Sequence, residues 1–213
     1  MDRKYGVEPL LLDNIRIDCN EMMLYMYLPI YIEDLHDNIR VPERLKIFNS
    51  LIYSSIGNVQ SMDIKYKYMY LTVKCRYVDR YNLANRPGWH SDGFGTDDIN
   101  VIWCDNDPTV FSIQDFDLSD DHNLSMKEMT NQCNPINNKT YNSYDLLLLD
   151  QYVIHRSPII EDAKIRTFFK LSFSNYRYNL IGNSHNYLFD YKWDMHQRQI
   201  ERNHPIYEES DIS

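Results

Sequence analysis

The sequence predicts a mainly β chain, a β-sandwich or jelly-roll core with supporting helices at its N-terminal and C-terminal ends. Three observations carry that expectation. Short runs rich in aromatic and β-branched residues recur from Tyr66 to Ser174. One segment, Pro42 to Ile56, has helical spacing instead. Polar stretches dense in Asn, Asp and Ser separate the runs and read as turns or loops.

Taken in order, residues 1–40 mix apolar and charged positions without a clean period, but Met22 to Ile32 is apolar and aromatic enough for a buried strand. Leu45, Phe48, Leu51, Ile52 and Ile56 then fall on one helical face, with Pro42 suited to the first turn and Gly57-Asn58 to the stop. Tyr66, Tyr68 and Tyr70 alternate with other residues. Leu71, Val73, Cys75 and Tyr77 continue the alternation after a one-residue shift, which predicts a turn or bulge. Ile99 to Cys104, Pro108 to Ile113, Asp145 to Ile154 and Arg166 to Ser174 read as further strands. Asp115 to Tyr144 reads as a long connection with a short helix around Ser125 to Gln132. Trp193 to Arg202 reads as a C-terminal helix.

The 213 residues are expected to form one domain, residues 1–213, with its core over about 60–178. A formal net charge of -9 argues against broad binding to nucleic acid or an anionic membrane. The cluster Lys65, Lys67, Lys74, Arg76 and Arg80 leaves a local basic groove open. Cys19, Cys75, Cys104 and Cys133 are widely spaced and form no Cys-X-X-Cys pair, so they read as reduced thiols in a cytoplasm. No apolar run approaches a membrane span. Tyrosine is abundant (18) while alanine occurs only at Ala84 and Ala163, the bias of an AT-rich genome such as that of a virus or phage.

The chemistry concentrates around Arg-Pro-Gly-Trp-His-Ser-Asp-Gly-Phe-Gly, where His90 and Asp92 stand two apart. On a strand, residues i and i+2 share a face, so one strand end offers an imidazole and a carboxylate to one cation. His155 follows the apolar run Leu146 to Leu149 and enters a turn marked by Ser157-Pro158, which places it to be a third ligand. Two histidines and a carboxylate suit a mononuclear non-haem iron(II) site with open positions. Arg166 opens an otherwise aromatic strand, so an inward-facing guanidinium there calls for an anion.

This order, His-X-Asp, a distal His and then an Arg some ten residues on, resembles the iron(II)- and 2-oxoglutarate-dependent dioxygenases. The likeness covers roughly residues 70–175. It implies a double-stranded β-helix, a jelly-roll variant. It implies His90, Asp92 and His155 as iron ligands, and Arg166 as partner of the distal carboxylate of 2-oxoglutarate. Several members carry a tyrosine nine residues before the first histidine, where Tyr81 stands. Another branch uses a threonine on the next strand, to which Thr109 is loosely similar; the two come from different branches, so one rather than both is expected to carry over. Phe168 stands where plant-type members have serine, a departure that bears on subfamily.

The implied reaction uses O2, releases succinate and CO2 from 2-oxoglutarate, and oxidises a substrate, hydroxylation being the commonest outcome. Asp92 speaks against a halogenase, which needs that position vacant. A small-molecule or amino-acid-like substrate is the first expectation; a protein side chain or a nucleobase is the alternative. Taken singly, each residue has a plainer reading: His90 as a loop contact to Asp92, His155 as a surface turn, Arg166 in a salt bridge with Glu161 or Asp162, Tyr81 and Thr109 as ordinary packing. A non-catalytic jelly-roll binding or structural protein and a metal-dependent cupin-like isomerase are the rival readings.

Overall fold

The computed structural model describes residues 4–35, 38–83 and 85–198. Nine strands run in the order β1 (Leu10–Asn14), β2 (Met23–Ile32), β3 (Tyr68–Val78), β4 (Ile99–Cys104), β5 (Val110–Ser112), β6 (Asn138–Thr140), β7 (Asp145–Leu149), β8 (His155–Arg156) and β9 (Lys164–Ser174). Six form a large sheet in the order β1-β7-β4-β9-β3-β2, and three form a small sheet in the order β6-β5-β8. Every named ladder is antiparallel. The chain is therefore mainly β, as its sequence predicts.

The central strand β9 shows why the sheet has two working faces. Phe169, Leu171 and Phe173 point to one side, where they share a core with Phe48, Leu51, Ile52 and Val59. These last residues come from a 3-10 turn, Glu43–Phe48, and from helix α1 (Asn49–Ser61). Each fully buried Leu or Phe here contributes about 1.5–3 kcal/mol. The alternate residues Arg166, Phe168, Lys170 and Ser172 point the other way, toward the small sheet. Phe168 packs there against the cluster of Ile102, Phe111, Leu147, Leu149 and Val153.

Two connections step from the large sheet to the small one. One runs from β4 to β5, the other from β7 to β8. The sequence reads Asp145 to Ile154 as one strand; instead β7 ends at Leu149, a turn follows, and β8 begins at His155. That break delivers His155 to the small sheet. The second helix, α2 (His122–Gln132), lies within the long polar connection and is capped by the Asp121 carboxylate, which accepts from Asn123 N and Leu124 N.

Three expectations change. Helix α1 runs past Gly57 to Ser61, because burial of Val59 offsets the modest cost of an interior glycine. Strand β3 is continuous; all residues from Tyr68 to Val73 are buried, so alternation carries no phase there. The irregularity lies in its partner β2, where the register shifts between Tyr25 and Leu28 and between Pro29 and Tyr31. The expected C-terminal helix is not formed over residues 193–198, and residues 199–202 lie outside the described residues. That segment is an extended strap instead. His196 exchanges backbone hydrogen bonds with Asn179 and Ile181, while the Trp193 ring meets Tyr68 edge-on. The four cysteines are free thiols. Among the described residues, no helix is long and apolar enough to cross a membrane.

Candidate metal centre

His90 and His155 face each other across an antiparallel bridge. His90 N donates to His155 O at 3.0 Å and His155 N to His90 O at 2.9 Å. Residues opposed in this way project side chains to the same face, and the imidazole centroids are 4.5 Å apart. His90 Nδ1 contacts Gly88 O at 2.7 Å, and His155 Nδ1 contacts Val153 O at 3.3 Å. Each carbonyl can accept only if Nδ1 carries the proton, which leaves both Nε2 lone pairs available. This is the usual way a protein prepares a histidine ligand.

Asp92 adds the carboxylate. Its Oδ2 lies 3.8 Å from His155 Nε2. One ligand atom from each of His90, Asp92 and His155 falls within a 4.8 Å span, a size that suits one cation. Neighbouring contacts fix the loop that carries Asp92. Gly93 takes φ +75 in the turn closed by Thr96 N to Gly93 O, a conformation that favours glycine. Ser91 Oγ donates to Gln151 O, and Gly95 N donates to Gln151 Oε1 at 3.1 Å. Gln151 thus ties the His90–Asp92 loop to the turn that precedes His155.

The electrostatics favour a metal-ready state. Burial, reinforced by His155, pushes His90 down to about 3, so its imidazole is neutral near pH 7. Burial lowers His155 as well, despite the opposing pull of Asp92. For Asp92, burial works to raise the carboxyl, but Lys170, His155 and His90 together outweigh it and hold the group well below the usual carboxylate range. Neutral imidazoles and an ionised carboxylate are the protonation states a divalent metal requires.

Beside this centre lies a cationic face. The pairing of β3 with β9 sets Thr72 opposite Lys170, Lys74 opposite Phe168 and Arg76 opposite Arg166. Lys74, Arg76, Arg166 and Lys170 therefore share one side of the sheet. Lys170 Nζ meets Asp92 Oδ2 at 3.0 Å. Burial and the neighbouring cations Lys170, Arg76 and Arg166 push Lys74 down to about 8, while its Nζ donates to Asn85 Oδ1 at 2.9 Å. A buried surplus of positive charge is stabilised by an anion.

Arg166 is 2% exposed and lies on this face. Its Nε donates to Asn106 O at 2.9 Å, and its Nη2 to Asp107 O at 3.0 Å, so part of its fork clasps the turn between β4 and β5. Thr109 is buried close by: its backbone and the Arg166 side chain both hydrogen-bond Cys104, whose thiol burial pushes up. A raised thiol is a poor nucleophile. The structure does not bring Tyr81 to the centre. Strand β3 ends at Val78, and Tyr81 lies in the following turn with 82% of its surface exposed and Arg80 over its ring. The resemblance-based role for Tyr81 therefore does not fit this chain. Phe94 is buried in a cluster with Trp89 and Phe116 and stacks on Tyr5, which makes it core.

Lys170 and Lys74 are the site residues that sequence reasoning misses. The basic cluster that contains Lys74 splits: Lys65, Lys67 and Arg80 are exposed, while Lys74 and Arg76 turn inward. The available signal was parity, since Lys170 stands four residues after Arg166 on the same face of one strand. No protein-family model and no curated protein matches the chain.

Proposed function

We propose that the chain is an Fe(II)- and 2-oxoglutarate-dependent oxygenase acting on a small molecule. The observation that carries this reading is the convergence of His90, Asp92 and His155 with both Nδ1 atoms tied to backbone carbonyls. The topology supports a double-stranded β-helix: β3, β9, β4 and β7 adjoin in one antiparallel sheet, and the His90 bridge, β8, β5 and β6 adjoin in the other. The cationic face supports a dianionic cosubstrate such as 2-oxoglutarate, with Arg166 and Lys74 as its anchors.

In this reading His90, Asp92 and His155 hold iron, and the three protein ligands leave coordination positions for other groups. Iron and 2-oxoglutarate, when bound, would supply the oxidising power, with succinate and CO2 as the products derived from 2-oxoglutarate. The chain's own part is positional. Gly88 O and Val153 O fix the imidazole tautomers. Lys170 holds one Asp92 oxygen and keeps the carboxylate ionised. Phe168 and the cluster around Phe111 exclude water from the floor of the site.

The hold of Arg166 on Asn106 O and Asp107 O favours one second reading, a metal-dependent enzyme of cupin-like type that needs no 2-oxoglutarate. Assay of succinate formation by the purified chain separates the two. The oxygenase reading expects succinate that depends on both Fe(II) and 2-oxoglutarate and is lost in His155→Ala. Metal binding with no succinate favours the second reading.

A further inference from the structure

A pocket of about 250 Å³ opens between the bulged part of β2 and the C-terminal strap. Tyr27, Tyr178, Tyr191 and Trp193 supply aromatic walls, and His185 and Lys192 also line it. Tyr27 links this pocket to the candidate metal centre. Its hydroxyl lies 3.4 Å from Lys170 Nζ, which in turn lies 3.0 Å from Asp92.

The walls are ordered by contacts within the chain. Tyr27 takes φ 49, unusual for a residue with a side chain, and its N–H donates to Thr72 Oγ1 at 3.0 Å. Tyr178 stacks on Tyr70 at 4.2 Å and 10°, and its hydroxyl donates to Asp98 at 2.6 Å. Trp193 packs against Tyr191 at 4.6 Å. The segment that precedes the strap is held to β2 by Ser184 N to Met26 O at 2.7 Å and Met26 N to Ser184 Oγ at 2.9 Å. A cavity of about 150 Å³ accommodates benzene, so this one takes a substituted ring or two fused rings.

Charge decides which kind of ring. Aromatic walls alone would suit either a quaternary ammonium or a stacked planar group. Here Lys170 Nζ lies 5.0 Å from the Tyr27 ring centroid and the Arg198 guanidinium 5.9 Å from it. Lys192 lines the pocket, and no described lining residue is a carboxylate. Lys170 is already paired with Asp92, and the Tyr178 hydroxyl with Asp98, so it is Lys192 and Arg198 that favour an anionic group over a cationic one.

We infer that this pocket receives the substrate, a planar aromatic or heteroaromatic ring bearing an anionic group, and presents it to the candidate metal centre past Tyr27. The assignment as substrate rests on the oxygenase reading; the ligand class rests on the pocket alone. Aromatic carboxylates and nucleoside monophosphates share this chemistry.

Titration of the full chain, metal-free, with indole-3-carboxylate, adenosine 5′-monophosphate and tryptamine tests the ligand class. At least one of the two anions should bind, with a Kd about tenfold or more below that of tryptamine, and the one that binds identifies the source of the anionic group. Trp193→Ala should weaken that binding about tenfold. Lys192→Gln, at an exposed position where folding is not at risk, should weaken it about threefold. Binding of neither anion, tryptamine binding as tightly, or indifference to both substitutions would overturn the inference. Mn(II), confirmed at the centre by its loss in His155→Ala, should broaden the bound ring protons in NMR spectra. Binding without such broadening overturns the substrate assignment. Failure of Mn(II) to bind at all counts against the oxygenase reading instead, and the metal-free titration still decides the ligand class.

Discussion

Lys170 Nζ lies 3.0 Å from Asp92 Oδ2, which sets a buried cation against the carboxylate of the candidate metal centre. Burial opposes the Lys170 charge, but Asp92 and Tyr27 outweigh it and hold the ammonium above the usual lysine range. Removing one partner of such a pair leaves the other charge uncompensated, at a cost of about 3–5 kcal/mol. Lys170→Met should therefore destabilise the metal-free chain, toward the lower end because the Asp92 side chain keeps 22% exposure. A divalent metal should recover much of that loss by becoming the new partner of Asp92. Urea unfolding with and without Mn(II) checks this; a metal-independent deficit would mean that Asp92 is not a ligand.

Acid should weaken the metal-free fold in a window set by His90. The unfolded histidine takes a proton near 6.5, while the folded one resists until about 3. The unfolded state therefore binds more protons between those values, so stability present above about 6.5 is lost progressively as pH falls toward 3. At pH 5 the His90 contribution is a loss of about 2 kcal/mol relative to pH 7.5. Asp92, held low, adds its own loss only below the ordinary carboxylate range. Urea midpoints at pH 7.5 and 5 should differ accordingly, and His90→Gln should narrow the gap.

Arg166→Ala should have two separable effects. The carbonyls of Asn106 and Asp107 lose their donor, which costs about 1–3 kcal/mol of stability. Affinity for 2-oxoglutarate should fall about tenfold or more, while metal affinity stays within about twofold because Arg166 is on a different strand from the three candidate ligands. Isothermal titration with Mn(II) and 2-oxoglutarate separates these effects. Equal loss of both affinities would contradict the anchoring role.

If the cationic face holds 2-oxoglutarate as proposed, Lys74 should give the binding a pH dependence of its own. Its ammonium is held down to about 8, so above that value the cationic face loses one charge. An anion binds the protonated form better, hence 2-oxoglutarate affinity should fall as pH rises through about 8 to 9. In Lys74→Met that step should vanish and affinity at pH 7 should be lower throughout. A pH profile of binding unchanged by the substitution would remove Lys74 from the site.

The parts of the site that were legible in the sequence are those set by local spacing. His90 and Asp92 lie two apart, and His155 follows a strongly apolar strand, so the candidate ligand set is legible from spacing alone. The face shared by Lys74 and Lys170 depends on the pairing of β3 with β9, a contact across nearly a hundred residues that spacing does not encode. Tyr81 failed for a local reason. The count of nine residues back from His90 falls past the end of β3, in a turn where Asp79 Oδ1 accepts from Tyr81 N. Residues 193–198 are not helical because His196 pairs through its backbone with Asn179 and Ile181, a tertiary contact that local spacing does not encode. The apolar run Leu146 to Leu149 marks β7, but the crossing between sheets carries no such mark, since Asp150, Gln151 and Tyr152 end the strand without glycine or proline.

The most direct test of the central claim is an anaerobic visible-light titration. Fe(II) and 2-oxoglutarate added together to the purified chain should produce the weak metal-to-ligand charge-transfer band of a chelated 2-oxoglutarate. The band should require both components, disappear in His155→Ala, and bleach on admission of O2 with formation of succinate. A folded chain that shows no such band at saturating Fe(II) and 2-oxoglutarate, and forms no succinate in air, would contradict the oxygenase reading.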